Sequence, residues 1–449
     1  MPTLTPATLE AILADQVLAR PSARALSAVR GVAAHTAQLR PGDAFVALAG
    51  GRSHGIEHAD AALAAGAALL ISDRPHPHAL LVRDASEALA RLGRHARAQR
   101  RGSVIGVTGS VGKTTTKRLL GAALDAVTSP GNINTPHALA GVLVDAWLHH
   151  DAERPLVIEL GIDRRGEMRQ LLDLVTPSHA VLTAIAEAHL EGIGSLADVA
   201  HEKGLLLDAA PERRYVGASA WEHLRDDQRR RAMRVALGDG TPGGRVDALA
   251  QVLEARLRGP GGEVEVALRL PGPGRPYAEA ALLALQVALD LGVDVAAAAE
   301  RVTGATPEPH RLARHDRGTL TLLDDAYNAN PASMQAALEV LARLQAPRAA
   351  VIGDMRELGA RSAAAHEALG RALADAGVTR AWFVGPESRV AYEAAPIDHR
   401  WHLPDASALL ERLDELPTTG SLLIKGSRSI GLERVVAALL AHTPPGGTP

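Results

Sequence analysis

The stretch Ser103-Val-Ile-Gly-Val-Thr-Gly-Ser-Val-Gly-Lys-Thr-Thr115 constrains the fold more than any other part of the chain. A short apolar run meets a glycine turn, and a helix-compatible run begins at Lys113. In that order the segment reads as strand, phosphate-cradling loop and helix, the opening unit of a parallel α/β domain. Glycines let backbone N–H groups approach phosphate oxygens, and the helix N-terminus adds a favourable dipole. In such a loop Lys113 contacts the β/γ-phosphates and Thr114 ligates Mg²⁺, with Thr108, Gly109, Ser110, Gly112 and Thr115 as the remaining candidate nucleotide contacts. The first glycine of the strict G-x-x-x-x-G-K-[ST] pattern would fall on Val107 and sits instead at Gly106. A nucleotide site is the expectation; a chance glycine turn is the plain alternative.

A chain of 449 residues is long enough for two to three domains. Three blocks separate: 1–98, 99–306 and 307–449. The first holds a turn, Arg40-Pro41-Gly42-Asp43, then strand-like runs at Ala44 to Leu48 and Ala67 to Ser72, a small α/β unit. The arginine-rich segment Arg91 to Arg101 reads as a solvated helix face. In the second block, further strands are expected at Pro155 to Leu160 and Ala180 to Ile185. Strands alternating with helices imply a parallel sheet covered on both faces. A Gly/Pro-rich stretch runs from Arg258 to Gly274, a helix is expected at Glu279 to Leu291, and Thr306-Pro-Glu-Pro309 reads as a linker. The third block alternates strands (Leu320 to Leu323, Ala349 to Ile352, Ala381 to Val384, Ser421 to Ile424) with helices, a second doubly wound α/β unit.

Composition removes several classes of function. A net charge of −3 argues against a nucleic-acid surface. There is no cysteine, so disulfides, thiolate chemistry and cysteine-held metals are excluded. Met1 to Ala19 lacks the pattern of a signal peptide, and no apolar run approaches the ~20 residues of a membrane span. A cytoplasmic protein is expected.

The loop T-G-S-V-G-K-T-T is similar to that of the Mur ligases and folylpolyglutamate synthetases. Further segments resemble the Mur ligase family in order: G-N-I-N at Gly131 to Asn134, I-E-L-G at Ile158 to Gly161, A-H-L-E-G-x-G-S at Ala188 to Ser195, A-H-E-K-G at Ala200 to Gly204, and H-R-L at His310 to Leu312. D-D-A-Y-N-A-N-P-A-S-M (Asp324 to Met334), V-I-G-D-M-x-E-L-G (Val351 to Gly359) and I-K-G-S-R-S (Ile424 to Ser429) resemble the branch that adds D-alanyl-D-alanine.

The resemblance implies a small N-terminal α/β domain for a UDP-sugar-peptide (1–98), a central P-loop parallel-sheet ATPase domain (99–306) and a C-terminal Rossmann-like domain (307–449). It implies ATP and Mg²⁺, with UDP-muramoyl-tripeptide and D-Ala-D-Ala as small-molecule substrates. An acyl phosphate is made from the tripeptide carboxylate and captured by the dipeptide amine. A monomer is implied as well. Glu159 and His189 are implied Mg²⁺ ligands, and Lys203 a carbamylated one. Against these stand a capping glutamate, a structural histidine and a solvated lysine. Arg311 and Asp325 are implied to reach the nucleotide from the third domain, with Tyr327, Asn328 and Asn330 beside it. Lys425 and Arg428 are candidate partners for the dipeptide carboxylate, and Asn132 and Asn134 line the cleft.

The chain departs from the family pattern in three places. Ala34 to Gln38 stands where a uridine-binding D-S-R is usual, Glu279 and Ala280 where an adenine-reading asparagine is usual, and Thr135-Pro136 follows Asn134. The alternatives are a sister amide ligase with another amine donor and a nucleotide-binding paralogue without catalysis.

Overall fold

Branched apolar runs ended by glycine, proline or aspartate make strands here, and Ala/Leu-rich runs with a polar cap make helices. The computed structural model describes residues 3–22, 27–51, 53–131, 133–247 and 251–441. Among them are four sheets. The first has the order Val17–Ala19, Ala79–Val82, Leu69–Ser72, Ala44–Ala47, Val32–Ala33, parallel except for its first, edge strand. The central sheet is wholly parallel, in the order Met233–Val235, Arg213–Gly217, His179–Leu182, Val104–Thr108, Leu156–Glu159, Val127–Thr128. A three-stranded antiparallel sheet follows, Gly243–Asp247, Val252–Gly259 and Gly262–Arg269. The last sheet runs Ala313–Arg317, Leu320–Asp325, Gly420–Lys425, Arg348–Gly353, Val378–Val384, His399–Leu403, with the first strand antiparallel to the second.

The expected strands are all present, shifted by a few residues, and the expected helix at Glu279 begins earlier, spanning Gly274–Asp290. Two readings change. The Gly/Pro-rich stretch carries a hairpin: Leu253, Ala255 and Leu257 point into the core while Glu254 stays exposed, a period-two pattern. The Arg91 to Arg101 segment is not simply a solvated face. Its helix, Ala85–Ala98, buries Ala88, Leu89, Leu92 and Ala96 against Pro136–His149. Arg97 donates to the carbonyls of Val175 and Thr176 and so binds the first unit to the second, while Arg100 donates to the Ala146 carbonyl within the second.

The apolar cores run across both junctions. Leu89 and Leu92 share one cluster with Leu139 and Leu143. Leu119 and Leu282 share another with Met334 and Leu341. This packing turns the carboxyl edges of the central and last sheets towards one another, the edge where ligands bind in open α/β sheets.

Candidate active site

A cavity of about 300 Å³ opens between those two edges. From the central sheet it takes Ser110 to Thr115, Asn134, Glu159, Asp163 and His189; from the last, Arg311, Asp325, Tyr327, Asn328, Asn330, Glu357, Lys425 and Arg428.

The loop after Val104–Thr108 is bolted down from behind. Thr108 is fully buried and its hydroxyl donates to the Leu160 carbonyl at 2.6 Å. Ser110 N–H donates to the Ala184 carbonyl (2.7 Å), and its hydroxyl donates to the Ala186 carbonyl (2.9 Å). Thr183 Oγ1 donates to the Val111 carbonyl at 2.5 Å. Thr108 and Gly109 thus shape the loop without lining the cavity, while Gly112, Lys113, Thr114 and Thr115 face it. Gly109 has φ +153°, and a Cβ there would stand 2.0 Å from Thr183 Oγ1. Gly109→Ala is therefore expected to lose about 1–3 kcal/mol of stability and most nucleotide binding, checked by the Tm with and without ADP.

Helix Lys113–Leu124 begins at Gly112, whose φ of +83° makes the tight entry. Lys113 Nζ donates to the Gly109 carbonyl at 2.8 Å. Burial pulls its ammonium below the usual lysine range and Arg311 adds to this, with Glu159 and Asp163 opposing. Glu159 ends its strand at 3% exposure. Its Oε1 accepts from Thr114 Oγ1 at 3.2 Å, and its Oε2 accepts no hydrogen bond among the described residues. His189 has φ +55°, and its Nδ1 lies 2.5 Å from Glu357 Oε2 and 3.2 Å from Asp163 Oδ1. The hydrogen bond from His189 holds the Glu357 carboxyl below its ordinary range.

Lys203 is at 0% exposure on helix Leu196–Ala209, outside the cavity lining, and its Nζ has no hydrogen-bond partner among the described residues. Burial drives its pKa well below that of an ordinary lysine; Lys113 adds to this, and Asp163 and Glu159 oppose it. The plain reading of a solvated helix lysine is thereby excluded.

Arg311 crosses the cleft. Its Nη2 donates to Thr114 Oγ1 at 3.2 Å, its guanidinium stacks 3.7 Å above the Tyr327 ring, and its Nε has no partner among the described residues. Asp325 and Lys425 turn inward: Asp325 accepts from Leu312 N–H (3.0 Å) and Lys425 Nζ (2.6 Å), and Lys425 also donates to the Asn328 carbonyl. Lys425 is at 1% exposure, so a ligand carboxylate would have to compete with Asp325 for it. Asn330 caps helix Pro331–Leu341 through Ser333 N–H. Arg428 is more open, 5.5 Å from the centre of the Tyr327 ring and 3.5 Å from Glu433. Asn134 lines the cavity; Asn132 lies outside the described residues.

Lys117, Asp163 and Glu357 were not singled out from the sequence. Glu357 sits inside the V-I-G-D-M-x-E-L-G segment, and Lys117 lies one turn after Lys113, which could have drawn notice to both. No group of three or more His, Asp or Glu forms a cage among the described residues. Mg²⁺ beside a triphosphate takes one or two carboxylates and completes its shell with water and phosphate oxygens. The unbonded Oε2 of Glu159 and the Thr114 hydroxyl are the donors such an ion needs.

A family model described as the Mur ligase middle domain matches residues 107–274, and one described as the Mur ligase glutamate ligase domain matches 310–428. The chain is 34% identical to the UDP-N-acetylmuramoyl-tripeptide--D-alanyl-D-alanine ligase of Escherichia coli (strain K12), covering 91% of this chain and 93% of that one. Its likeness to the ligase of the same name from Treponema pallidum is 32%, over 92% and 94%. A crystal structure of MurF from Acinetobacter baumannii superposes with a TM-score of 0.84 at 27% identity, covering 98% and 100%. For MurF from Thermotoga maritima in complex with ADP the TM-score is 0.76 at 26% identity, covering 91% and 97%.

Proposed function

Since this chain belongs to the Mur ligase family, we propose that it joins D-alanyl-D-alanine to UDP-N-acetylmuramoyl-tripeptide, driven by cleavage of ATP to ADP and phosphate. The observation that carries this reading is the reach of Arg311, from one sheet edge, to the Thr114 hydroxyl on the phosphate loop of the other. A site split in this way is complete when the two edges meet. Closure keeps water away from a reactive acyl group.

In the proposed sequence a carboxylate oxygen of the tripeptide attacks the γ-phosphorus, and the bond to ADP breaks. The dipeptide amine attacks the acyl carbon, phosphate leaves with the former carboxylate oxygen, and the amine loses a proton. The amides of Gly112 to Thr115 and the helix N-terminus hold the phosphates, and Lys113 and Arg311 offset charge developing on the transferred group. Mg²⁺ held by Thr114 and Glu159, with a second ion held by His189 and a carbamylated Lys203, would supply further charge neutralisation. Lys203 Nζ has no hydrogen-bond partner among the described residues, and its burial favours the neutral amine, the form that attacks CO₂.

The N-terminal unit (1–98) is assigned to the UDP-sugar-peptide, 99–306 to ATP and 307–449 to the amine donor. Arg428, exposed at the mouth, is a freer partner for the dipeptide carboxylate than Lys425. Among the described residues no helix is long and apolar enough to cross a membrane. A monomer working in the cytoplasm, where ATP and nucleotide-linked precursors are found, completes the proposal. With ¹⁸O in the tripeptide carboxylate, one label is expected in the released phosphate. Unlabelled phosphate would exclude the acyl-phosphate route.

A further inference from the structure

Among the 48 lysines and arginines of this chain, four are lysines: Lys113, Lys117, Lys203 and Lys425. Where a solvated cation suffices the chain uses arginine, as the exposed pairs Arg20–Glu10, Arg225–Asp208 and Arg389–Glu393 illustrate. A lysine offers what arginine cannot, a compact ammonium without a planar fork. Lys203 and Lys425 are at 0% and 1% exposure and Lys113 lines the cavity, all three placed above. Lys117, at 4% exposure, is the remaining one.

Lys117 sits four residues after Lys113 on helix Lys113–Leu124, on the same side. Its Nζ lies 3.3 Å from Glu159 Oε2 and donates to the Gly131 carbonyl. The two charged side chains are 5% and 3% exposed. The Lys117–Glu159 approach is an ion contact without hydrogen-bond geometry, since Oε2 accepts no hydrogen bond among the described residues. The ammonium fixes where the carboxylate lies and leaves that oxygen's lone pairs open. The other oxygen is fixed by Thr114. Through Gly131 the same ammonium ties in the loop that carries Asn134 to the cavity wall.

We infer that Lys117 is a positioning residue: it holds the Glu159 carboxylate in the place where a divalent cation is taken up, and couples the Gly131 loop to it. The inference rests on the reading of Glu159 as a divalent-cation ligand. Partners that orient a metal ligand typically change metal affinity about 10–100-fold when removed.

The test is Mn²⁺ binding in the presence of ADP, followed by the EPR signal of free Mn²⁺, for the full chain and for Lys117→Met, Lys117→Gln, Glu159→Gln and the double variant Lys117→Met/Glu159→Gln. Removing a positive charge beside a cation site would by itself tighten binding, so weaker binding reports position. Both Lys117 variants are expected to bind Mn²⁺ about 10–100-fold more weakly, with the KM for D-Ala-D-Ala unchanged. Adding Lys117→Met to Glu159→Gln is expected to bring no further loss. Should Lys117→Met not fold, Lys117→Gln, which keeps a donor for Gly131, carries the comparison. Unchanged or tighter binding in a folded Lys117 variant, or losses that add in the double variant, would overturn the inference. Unchanged binding in Glu159→Gln would instead overturn the cation reading beneath it.

Discussion

Lys203→Ala is expected to lower turnover by at least about 10³-fold, roughly 4 kcal/mol of transition-state stabilisation, and acetate or bicarbonate is expected to restore part of it. The wild-type amine is fully buried, with no hydrogen-bond partner among the described residues. Burial there disfavours the charged ammonium, and in the proposed carbamylation CO₂ would turn the amine into an anionic oxygen ligand. Truncation to alanine leaves a space that a small carboxylate can enter. Undiminished turnover in Lys203→Ala would end the proposal.

The same site predicts an opposite effect on stability. The folded-state pKa of Lys203 is lowered, so the unfolded chain binds the proton more tightly. In bicarbonate-free buffer this destabilises the fold at pH values below the unfolded lysine pKa, and the penalty fades as pH rises towards it. Lys203→Met is thus expected to melt higher than wild type at neutral pH, with a smaller difference in alkaline buffer, while being inactive. A lower Tm at neutral pH would show that the amine is compensated in some other way.

Arg311→Ala is expected to reduce kcat by about 10³-fold or more, the scale of an arginine supplied to a phosphoryl group from a separate element, with a smaller change in ADP affinity. The backbone presents Arg311 between two left-handed residues, His310 (φ +60°) and Leu312 (φ +52°). Asp324 holds the His310 ring at 2.8 Å, and Asp325 accepts from Leu312 N–H. Tyr277 donates to the Arg311 carbonyl at 3.0 Å. Such a clamp fits a side chain whose direction matters. Arg311→Lys is expected to recover little, because an ammonium cannot stack on Tyr327 and reach Thr114 with the same fork. A rise in the ATP KM with kcat intact would mean that Arg311 only binds nucleotide.

The two aspartates illustrate what a sequence can and cannot tell. Asp324-Asp325 stands out as a motif, and its position at a strand's carboxyl end was legible. What it grips was not. Asp325 meets Lys425 because the strands Leu320–Asp325 and Gly420–Lys425 are parallel neighbours with those residues in register. Helix Lys113–Leu124 begins at the expected residue, since a glycine turn followed by G-K-T leaves few other geometries. The hairpin Val252–Arg269 was hidden behind its Gly259-Pro260-Gly261-Gly262 turn, although each arm alternates apolar and charged residues. Lys117 escaped notice because a lysine one turn along a helix is ordinary until its tip meets Glu159. Glu357 and Asp163 converge on His189 through the packing of two sheets, which no local pattern encodes.

Phosphate release from ATP and Mg²⁺, measured with UDP-N-acetylmuramoyl-tripeptide in the presence and absence of D-alanyl-D-alanine and paired with the mass of the product, tests the central claim most directly. Release that requires both substrates and yields the pentapeptide is the predicted result. Release that requires a different amine donor, or none with any donor despite nucleotide binding, would contradict it.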